Sequence, residues 1–153
     1  MKKVFPWILL GLGLLFFLKR NSSAKALNTT NIKEIIRQEA RRYSVPECIL
    51  LGIAKAESSL NPKWFYRYHG DRVSYGAFGL TKGAVKTIGM DWESVKRDLR
   101  MQARASAVYL RWLYNRLKNW DLVIQAYNIG IGNVLRGRRN YAYLTRVKKY
   151  GGC

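Results

Sequence analysis

Three short motifs hold the residues of this chain whose types and spacing suit acid–base chemistry. The first, residues 57–62 (ESSLNP), places one carboxyl group, that of Glu57, at the end of an apolar helical stretch where the chain bends. The second, residues 76–80 (GAFGL), predicts a tight glycine turn that brings backbone close to a ligand. The third, residues 126–134 (AYNIGIGNV), puts a tyrosine and an asparagine before a glycine break. A carboxyl group beside such a turn can act as a general acid and base.

Each motif taken alone has an ordinary explanation. A glutamate before two serines is usually a solvated helix end, a GAFG stretch is usually a turn, and a Tyr-Asn pair before glycine is usually a helix stop. The three together, in this order and at this spacing, are far more specific. They indicate one site assembled from three parts of the chain.

With these motifs, residues 32–150 resemble the family-1 soluble lytic transglycosylases and, more distantly, the goose-type lysozymes. The lead-in RYSVP at residues 42–46 and the closing YLTRV at residues 143–147 belong to the match. The resemblance implies a lysozyme-like helical domain that cuts the sugar backbone of bacterial peptidoglycan. The chain departs from the family pattern G-x-x-G-L-M-Q in one place, because Lys82 stands where a substrate-binding glutamine is usual.

The resemblance also assigns roles to individual residues. It implies that Glu57 is the catalytic residue, that Tyr127 and Asn128 help to hold the sugars and the glutamate, and that Tyr143 lies near the glutamate. The full set of predicted substrate-binding residues is Ser58, Ser59, Phe78, Gly79, Lys82, Tyr127, Asn128 and Tyr143.

The mechanism implied by the resemblance uses one carboxylate. Glu57 protonates the oxygen between N-acetylmuramic acid and N-acetylglucosamine, then takes the C6 hydroxyl proton as a 1,6-anhydro ring closes, without cofactor or metal. Asp71 is the candidate for a second carboxylate that would assist a water molecule, as in a goose-type hydrolase. The competing interpretation, which we favour, is a loop residue paired with Arg72 or another basic group. A non-catalytic wall-binding or nucleic-acid-binding membrane protein is the rival from another class.

The charge of the chain sets a condition on the acid. Twenty-eight Lys and Arg against nine Asp and Glu give a net charge of +19, which lowers the pKa of a carboxyl group. An acid that works near neutral pH must therefore be desolvated. We expect Glu57 to be largely buried, with no Lys or Arg within hydrogen-bonding distance.

The same charge predicts anionic partners: cell-wall polymers, lipid head groups or nucleic acid. The C-terminal region is the most basic part, since no Asp or Glu follows Asp121. The single histidine, His69, cannot build a metal site alone. We expect Cys48 to be a small buried apolar residue and Cys153 to be exposed; a bond between them, which needs the tail to fold back, is the less favoured alternative.

Hydrophobic periodicity predicts a single, mainly α domain over residues 31–153. Helices are expected from the Asn31 N-cap to about residue 43, from Pro46 past Glu57, and over residues 81–88. The longest should open at Asp91 or Ser94 and carry a buried stripe to Leu117. Others should start at Asp121, with glycine breaks at residues 130 and 132, and at Asn140. Residues 60–75 predict an irregular aromatic loop or a small hairpin.

The N-terminal residues form a separate region. Residues 4–18 are unbroken apolar sequence between basic flanks, so residues 1–20 are predicted to be a hydrophobic membrane-anchoring helix, with a polar linker at residues 21–30. Fifteen residues cover ~22 Å against a hydrocarbon core of ~30 Å, a gap that snorkelling lysines and local thinning can close. The alternative is a signal peptide cleaved near residues 24–26, giving a secreted protein. An anchored domain would face the periplasm or cell wall, from the bacterial inner membrane, in a secretion system, or from a phage virion membrane.

Overall fold

The computed structural model describes residues 31–153, within which Ile35–Cys153 forms one compact unit. The predicted anchor at residues 1–20 and the linker at residues 21–30 lie outside the described residues. Across residues 31–153, none of the helices combines the length and the apolar character that a membrane crossing requires.

The mainly α prediction is confirmed. The helices are α1 (residues 31–42), α2 (Glu47–Ser58), α3 (Lys82–Thr87), α4 (Trp92–Arg97), α5 (Leu99–Leu117), α6 (Trp120–Ile129), α7 (Ile131–Leu135) and α8 (Tyr141–Gly151), with a 3-10 turn at Pro62–Trp64. The described part of the chain contains no named strand. In the aromatic loop, two isolated β-bridges, Tyr68–Tyr75 and Tyr75–Leu80, take the place of the expected hairpin.

Several predicted helix starts need correction. Asn31 is already helical, and Pro46 is the N-cap of α2 rather than part of its first turn. Asp91 caps α4 by accepting a hydrogen bond from the Ser94 amide at 2.8 Å. Asp98 then caps α5 through the Met101 amide at 2.9 Å, with an extended backbone at φ −134°. The predicted long helix is therefore two helices, because a second capping aspartate interrupts it.

The later helix boundaries were partly predicted. α6 is capped by Asn119, whose side chain accepts from the Leu122 amide, whereas Asp121 lies inside the first turn. Gly130 ends α6 with a φ of +85°, but Gly132 lies inside α7 and breaks nothing. The predicted cap of α8 at Asn140 is confirmed.

The core is built around α5, whose buried residues are Gln102, Ala103, Ala105, Ser106, Ala107, Leu110 and Leu113. The alanines and the serine among them have small side chains, which allow neighbouring helices to approach closely. Among α2 to α8, however, the most extensive helix pair is α2 with α8. A Cβ atom on Gly52 or Gly151 would overlap the backbone of the partner helix, so both positions require glycine.

The two cysteines follow the less favoured alternative, although Cys153 is exposed as expected. Cys48 on α2 and Cys153 after α8 form a disulfide, with their Cα atoms 5.5 Å apart. The physical reason is the close α2–α8 contact, which brings the C-terminal tail back onto the start of α2. The bond therefore closes a loop across 105 residues of sequence.

Candidate active site

Glu57 lies in the last turn of α2, where the helix ends sharply. Ser59 and Leu60 both adopt the left-handed conformation, each with φ of 53°, which turns the chain into the Pro62–Trp64 turn. The Tyr143 hydroxyl, reaching across from α8, donates a hydrogen bond to Glu57 Oε1 at 2.6 Å. Tyr143 is only 2% exposed, so this hydroxyl is held in the core.

Gly79 lies against the other side of the same carboxyl group. A Cβ atom at this position would be 2.5 Å from Glu57 Oε2 and 2.8 Å from Cδ, and the backbone has a φ of +59°. Both the contact and the left-handed backbone require glycine. The glycine turn thus brings backbone onto the glutamate itself.

The pKa of Glu57 is raised above its ordinary value, and burial of the carboxyl group is the main cause. The Tyr143 hydrogen bond and the charges of His69 and Arg146 act in the opposite direction but are weaker. Glu57 is a half-buried residue, and in the described part of the chain no Lys or Arg donates a hydrogen bond to it. The expectation of a largely buried Glu57 is met only in part, because the residue is half-buried, although burial is the main cause of its raised pKa.

Tyr127 ties three elements together behind the glycine turn. Its hydroxyl donates to the Phe78 carbonyl oxygen at 2.9 Å and is 3.1 Å from Ser106 Oγ on α5. Burial raises the pKa of Tyr127, so the hydroxyl keeps its proton. Tyr127 therefore fixes the turn that carries Gly79.

A cavity of about 260 Å³ opens beside this group. Its lining residues are Gly79, Leu80, Thr81, Ala84, Tyr109, Tyr127, Asn128, Ile129 and Gly130. Gly79 both lines the cavity and contacts the Glu57 carboxyl group, so it connects the two. Asn128 is exposed at the rim, where its Oδ1 accepts from Asn140 Nδ2 at 2.8 Å.

Four other predicted substrate-binding residues have different surroundings. The Ser58 hydroxyl is buried and donates to the Ala54 carbonyl within α2. Ser59 is exposed at the end of α2, and Lys82 is exposed at the start of α3. The Phe78 side chain is completely buried in the core. The structure therefore brings together Glu57, Gly79, Tyr127, Asn128 and Tyr143 and leaves these four side chains outside that group.

Asp71 is an exposed loop residue that organises its own turn. Its Oδ1 accepts from the Val73 and Ser74 amides, each at 2.9 Å, and its Oδ2 accepts from Ser74 Oγ at 2.5 Å. These hydrogen bonds lower the pKa of Asp71 to about 2. The loop interpretation is confirmed, but the expected pairing with Arg72 is wrong, because the turn supplies the partners instead.

Gln102 is a positioning residue that the sequence analysis missed. Although completely buried, it donates from Nε2 to the Phe65 carbonyl at 2.7 Å and accepts at Oε1 from the Ala77 amide at 2.9 Å. It thus fastens both the aromatic loop and the glycine turn to α5. The available signal was a glutamine among the small residues of a helix stripe.

Residues 31–153 contain no group of three or more His, Cys, Asp or Glu side chains placed to hold a metal ion.

A helical domain with one desolvated glutamate beside a glycine turn and a cavity defines a lysozyme-like class of protein. Comparison with known families makes this specific: residues 34–148 match the transglycosylase SLT domain. The chain belongs to this family.

Curated relatives agree with the assignment. The chain is 30% identical over 121 residues to the membrane-bound lytic murein transglycosylase C of Cronobacter sakazakii, and 29% identical over 128 residues to that of Haemophilus influenzae. Each match covers 67% of this chain and 32% of the relative. The chain therefore spans about a third of the length of these relatives.

A solved structure supports the fold. An inactive mutant of the lytic transglycosylase Slt from Pseudomonas aeruginosa matches 77% of this chain and 23% of its own, with a TM-score of 0.64 and 19% sequence identity. At this identity the similarity concerns the fold alone.

Proposed function

We propose that this chain is a peptidoglycan lytic transglycosylase that cleaves the β-1,4 bond between N-acetylmuramic acid and N-acetylglucosamine. The observation that carries the proposal is the Glu57 carboxyl group, which is desolvated, contacts Gly79 and accepts a 2.6 Å hydrogen bond from Tyr143. The names of the curated relatives support the same activity.

The first step uses the protonated form of Glu57. Because burial raises its pKa, the carboxyl group retains its proton to higher pH than an exposed glutamate would. With a glycan strand across the cavity, Glu57 donates this proton to the bridging oxygen as the glycosidic bond breaks. Positive charge then develops at the muramic acid C1, and the substrate's own acetamido group stabilises it.

The second step uses the ionised form. The Tyr143 hydroxyl stabilises the carboxylate, and burial raises the pKa of Tyr143, so the donor stays protonated. The oxygen of the C6 hydroxyl then bonds to C1 and closes the 1,6-anhydro ring, while Glu57 accepts the hydroxyl proton. The glutamate ends protonated as it began, and no water is consumed.

The surroundings of Asp71 disfavour the hydrolytic alternative. A second carboxylate would have to orient water at the scissile bond, yet both oxygens of Asp71 accept hydrogen bonds from its own turn. The residue is also exposed and is not among those lining the cavity. We therefore expect anhydro rather than reducing ends in the product.

We further propose that residues 4–18 anchor the domain in a membrane so that it acts on the adjacent cell wall. The apolar run between basic flanks and the membrane-bound relatives support this. Such a protein would open the wall locally, for a secretion apparatus or for a phage particle. The basic C-terminal region would face the anionic wall polymer; binding of nucleic acid is the alternative for this region.

Digestion of purified peptidoglycan by the full-length chain tests the activity. Mass spectrometry of the soluble products should show 1,6-anhydro ends for the wild type. The rate of product release should fall by at least about 1,000-fold in Glu57→Gln. Glu93→Gln is the matched control, because this exposed glutamate pairs with Lys96 on α4, and its replacement should leave the rate unchanged. Reducing ends would establish a hydrolase, and equal digestion by wild type and Glu57→Gln would refute the role of Glu57.

A further inference from the structure

Arg136 and Arg138 form an unusual pair just after α7. Both guanidinium groups donate to one atom, Asn133 Oδ1, Arg136 from Nη2 at 3.0 Å and Arg138 from Nη1 at 3.2 Å. The next residue, Arg139, turns back onto the Val134 and Arg138 carbonyls at 2.9 and 2.7 Å. We call Arg136 and Arg138, joined through Asn133, the arginine pair.

The arginine pair lacks a compensating negative charge. The sequence contains no Asp or Glu after Asp121, and among the ion pairs of residues 31–153 none includes Arg136 or Arg138. Lys148, by contrast, is neutralised by Asp121 at 2.7 Å. Two exposed cations that share one neutral acceptor repel each other. An anion bound between them would remove this repulsion.

Asn133 also connects the arginine pair to the cavity. Its Nδ2 donates to the Ile129 carbonyl oxygen at 2.6 Å, and both Ile129 and the following Gly130 line the cavity. Asn133 therefore links the arginine pair to a segment of the chain that lines the cavity. An anion bound there would lie next to a ligand in the cavity rather than inside it.

We infer that the arginine pair binds a carboxylate of the peptide carried by the glycan strand. The inference rests on the proposed function, in which a glycan strand containing muramic acid lies across the cavity. That sugar bears its peptide through a lactyl group, and the peptide carries free carboxylates beside the sugar chain. Guanidinium groups bind carboxylates through two parallel hydrogen bonds, which a pair of arginines with fixed orientation can supply.

Binding measured without catalysis separates this inference from the proposed function. In the full-length Glu57→Gln background, we compare affinity for glycan strands that carry peptides with affinity for strands stripped of them by an amidase. Arg136→Ala with Arg138→Ala should weaken binding of peptide-bearing strands by about tenfold and leave stripped strands unchanged. The control, Lys33→Ala with Arg97→Ala, removes the same charge from exposed positions outside the basic C-terminal region and should leave both unchanged.

Two results would overturn the inference. One is equal weakening on both kinds of strand, which would make the arginine pair a general contact for sugars. The other is unchanged strand binding together with weaker binding to anionic phospholipid vesicles or to DNA, which would assign it to phosphates. Failure of the wild type to digest peptidoglycan would refute the proposed function instead, and it is read from a separate assay.

Discussion

The helices behind Glu57 and the segment in front of it are held by different kinds of interaction. Behind it, α2 and α8 pack backbone to backbone through Gly52 and Gly151 and are joined by the disulfide. In front, residues 60–80 have little regular structure and depend on a few polar side chains, above all Gln102. The rigid side supplies Glu57 and Tyr143, whereas the irregular side supplies Gly79.

The difference shows that side-chain hydrogen bonds can hold the backbone of a loop in place, as helix packing holds the backbone of α2 and α8. The Gln102 amide replaces the hydrogen bonds that a strand would have supplied to Phe65 and Ala77. His69 adds a 2.8 Å contact to the Gly76 carbonyl oxygen, and Tyr127 binds the Phe78 carbonyl. Each of these contacts is made by one side chain, so its loss leaves that part of the loop without support. Substitutions in front of Glu57 should therefore lower activity more than stability, compared with substitutions behind it.

The largest effect on activity is expected when the glycine turn is displaced relative to the Glu57 carboxyl group. Gly79→Ala places a methyl group 2.5 Å from Glu57 Oε2, so the turn or the carboxyl group must shift. A displacement of this size should lower the rate of peptidoglycan digestion by about 100-fold. The control is Gly83→Ala, at a helical glycine with open space around it, which should keep full activity. Equal rates for the two variants would refute the close contact.

Removing the disulfide behind Glu57 should instead lower the stability of the fold. Replacing Cys48 and Cys153 with alanine opens a loop across 105 residues and should lower the free energy of unfolding by about 3 kcal/mol. Denaturant unfolding of the full chain measures this, with the wild type under reducing conditions as the matching control. We expect the rate of the remaining folded protein to change less than in Gly79→Ala. A greater loss of rate would mean that the disulfide itself positions Glu57.

A smaller stability loss is expected from Gln102→Leu. This change leaves the Ala77 amide and the Phe65 carbonyl without partners, at a cost of about 2 kcal/mol. Amide hydrogen exchange should show faster exchange at Ala77. Gln125→Leu is the control, because it frees the Asn140 amide at the start of α8 and should leave Ala77 protected. Unchanged exchange at Ala77 in Gln102→Leu would contradict its positioning role.

The sequence predicted the helical architecture because capping residues and apolar spacing are local signals. It also predicted Glu57, Gly79, Tyr127 and Tyr143 as site residues, because their motifs resemble those of a family, and the structure brings these residues together. The disulfide could not be predicted, since it depends on α8 lying along α2, which local patterns do not show. Gln102 was missed for a similar reason: its two partners, Phe65 and Ala77, are separated from it by 37 and 25 residues.

The central claim is that burial of the Glu57 carboxyl group raises its pKa, so that it keeps its proton to higher pH than an exposed glutamate. Isotope-edited NMR titration of the glutamate carboxyl groups, assigned by comparison with Glu57→Gln, measures this directly. The Glu57 pKa should lie above the ordinary value of 4.5, and the rate of bond cleavage should fall as pH rises through it. Tyr143→Phe removes a hydrogen bond that lowers this pKa, so it should move the titration and the falling limb to still higher pH. A Glu57 pKa at or below 4.5 in the folded wild type would contradict the account.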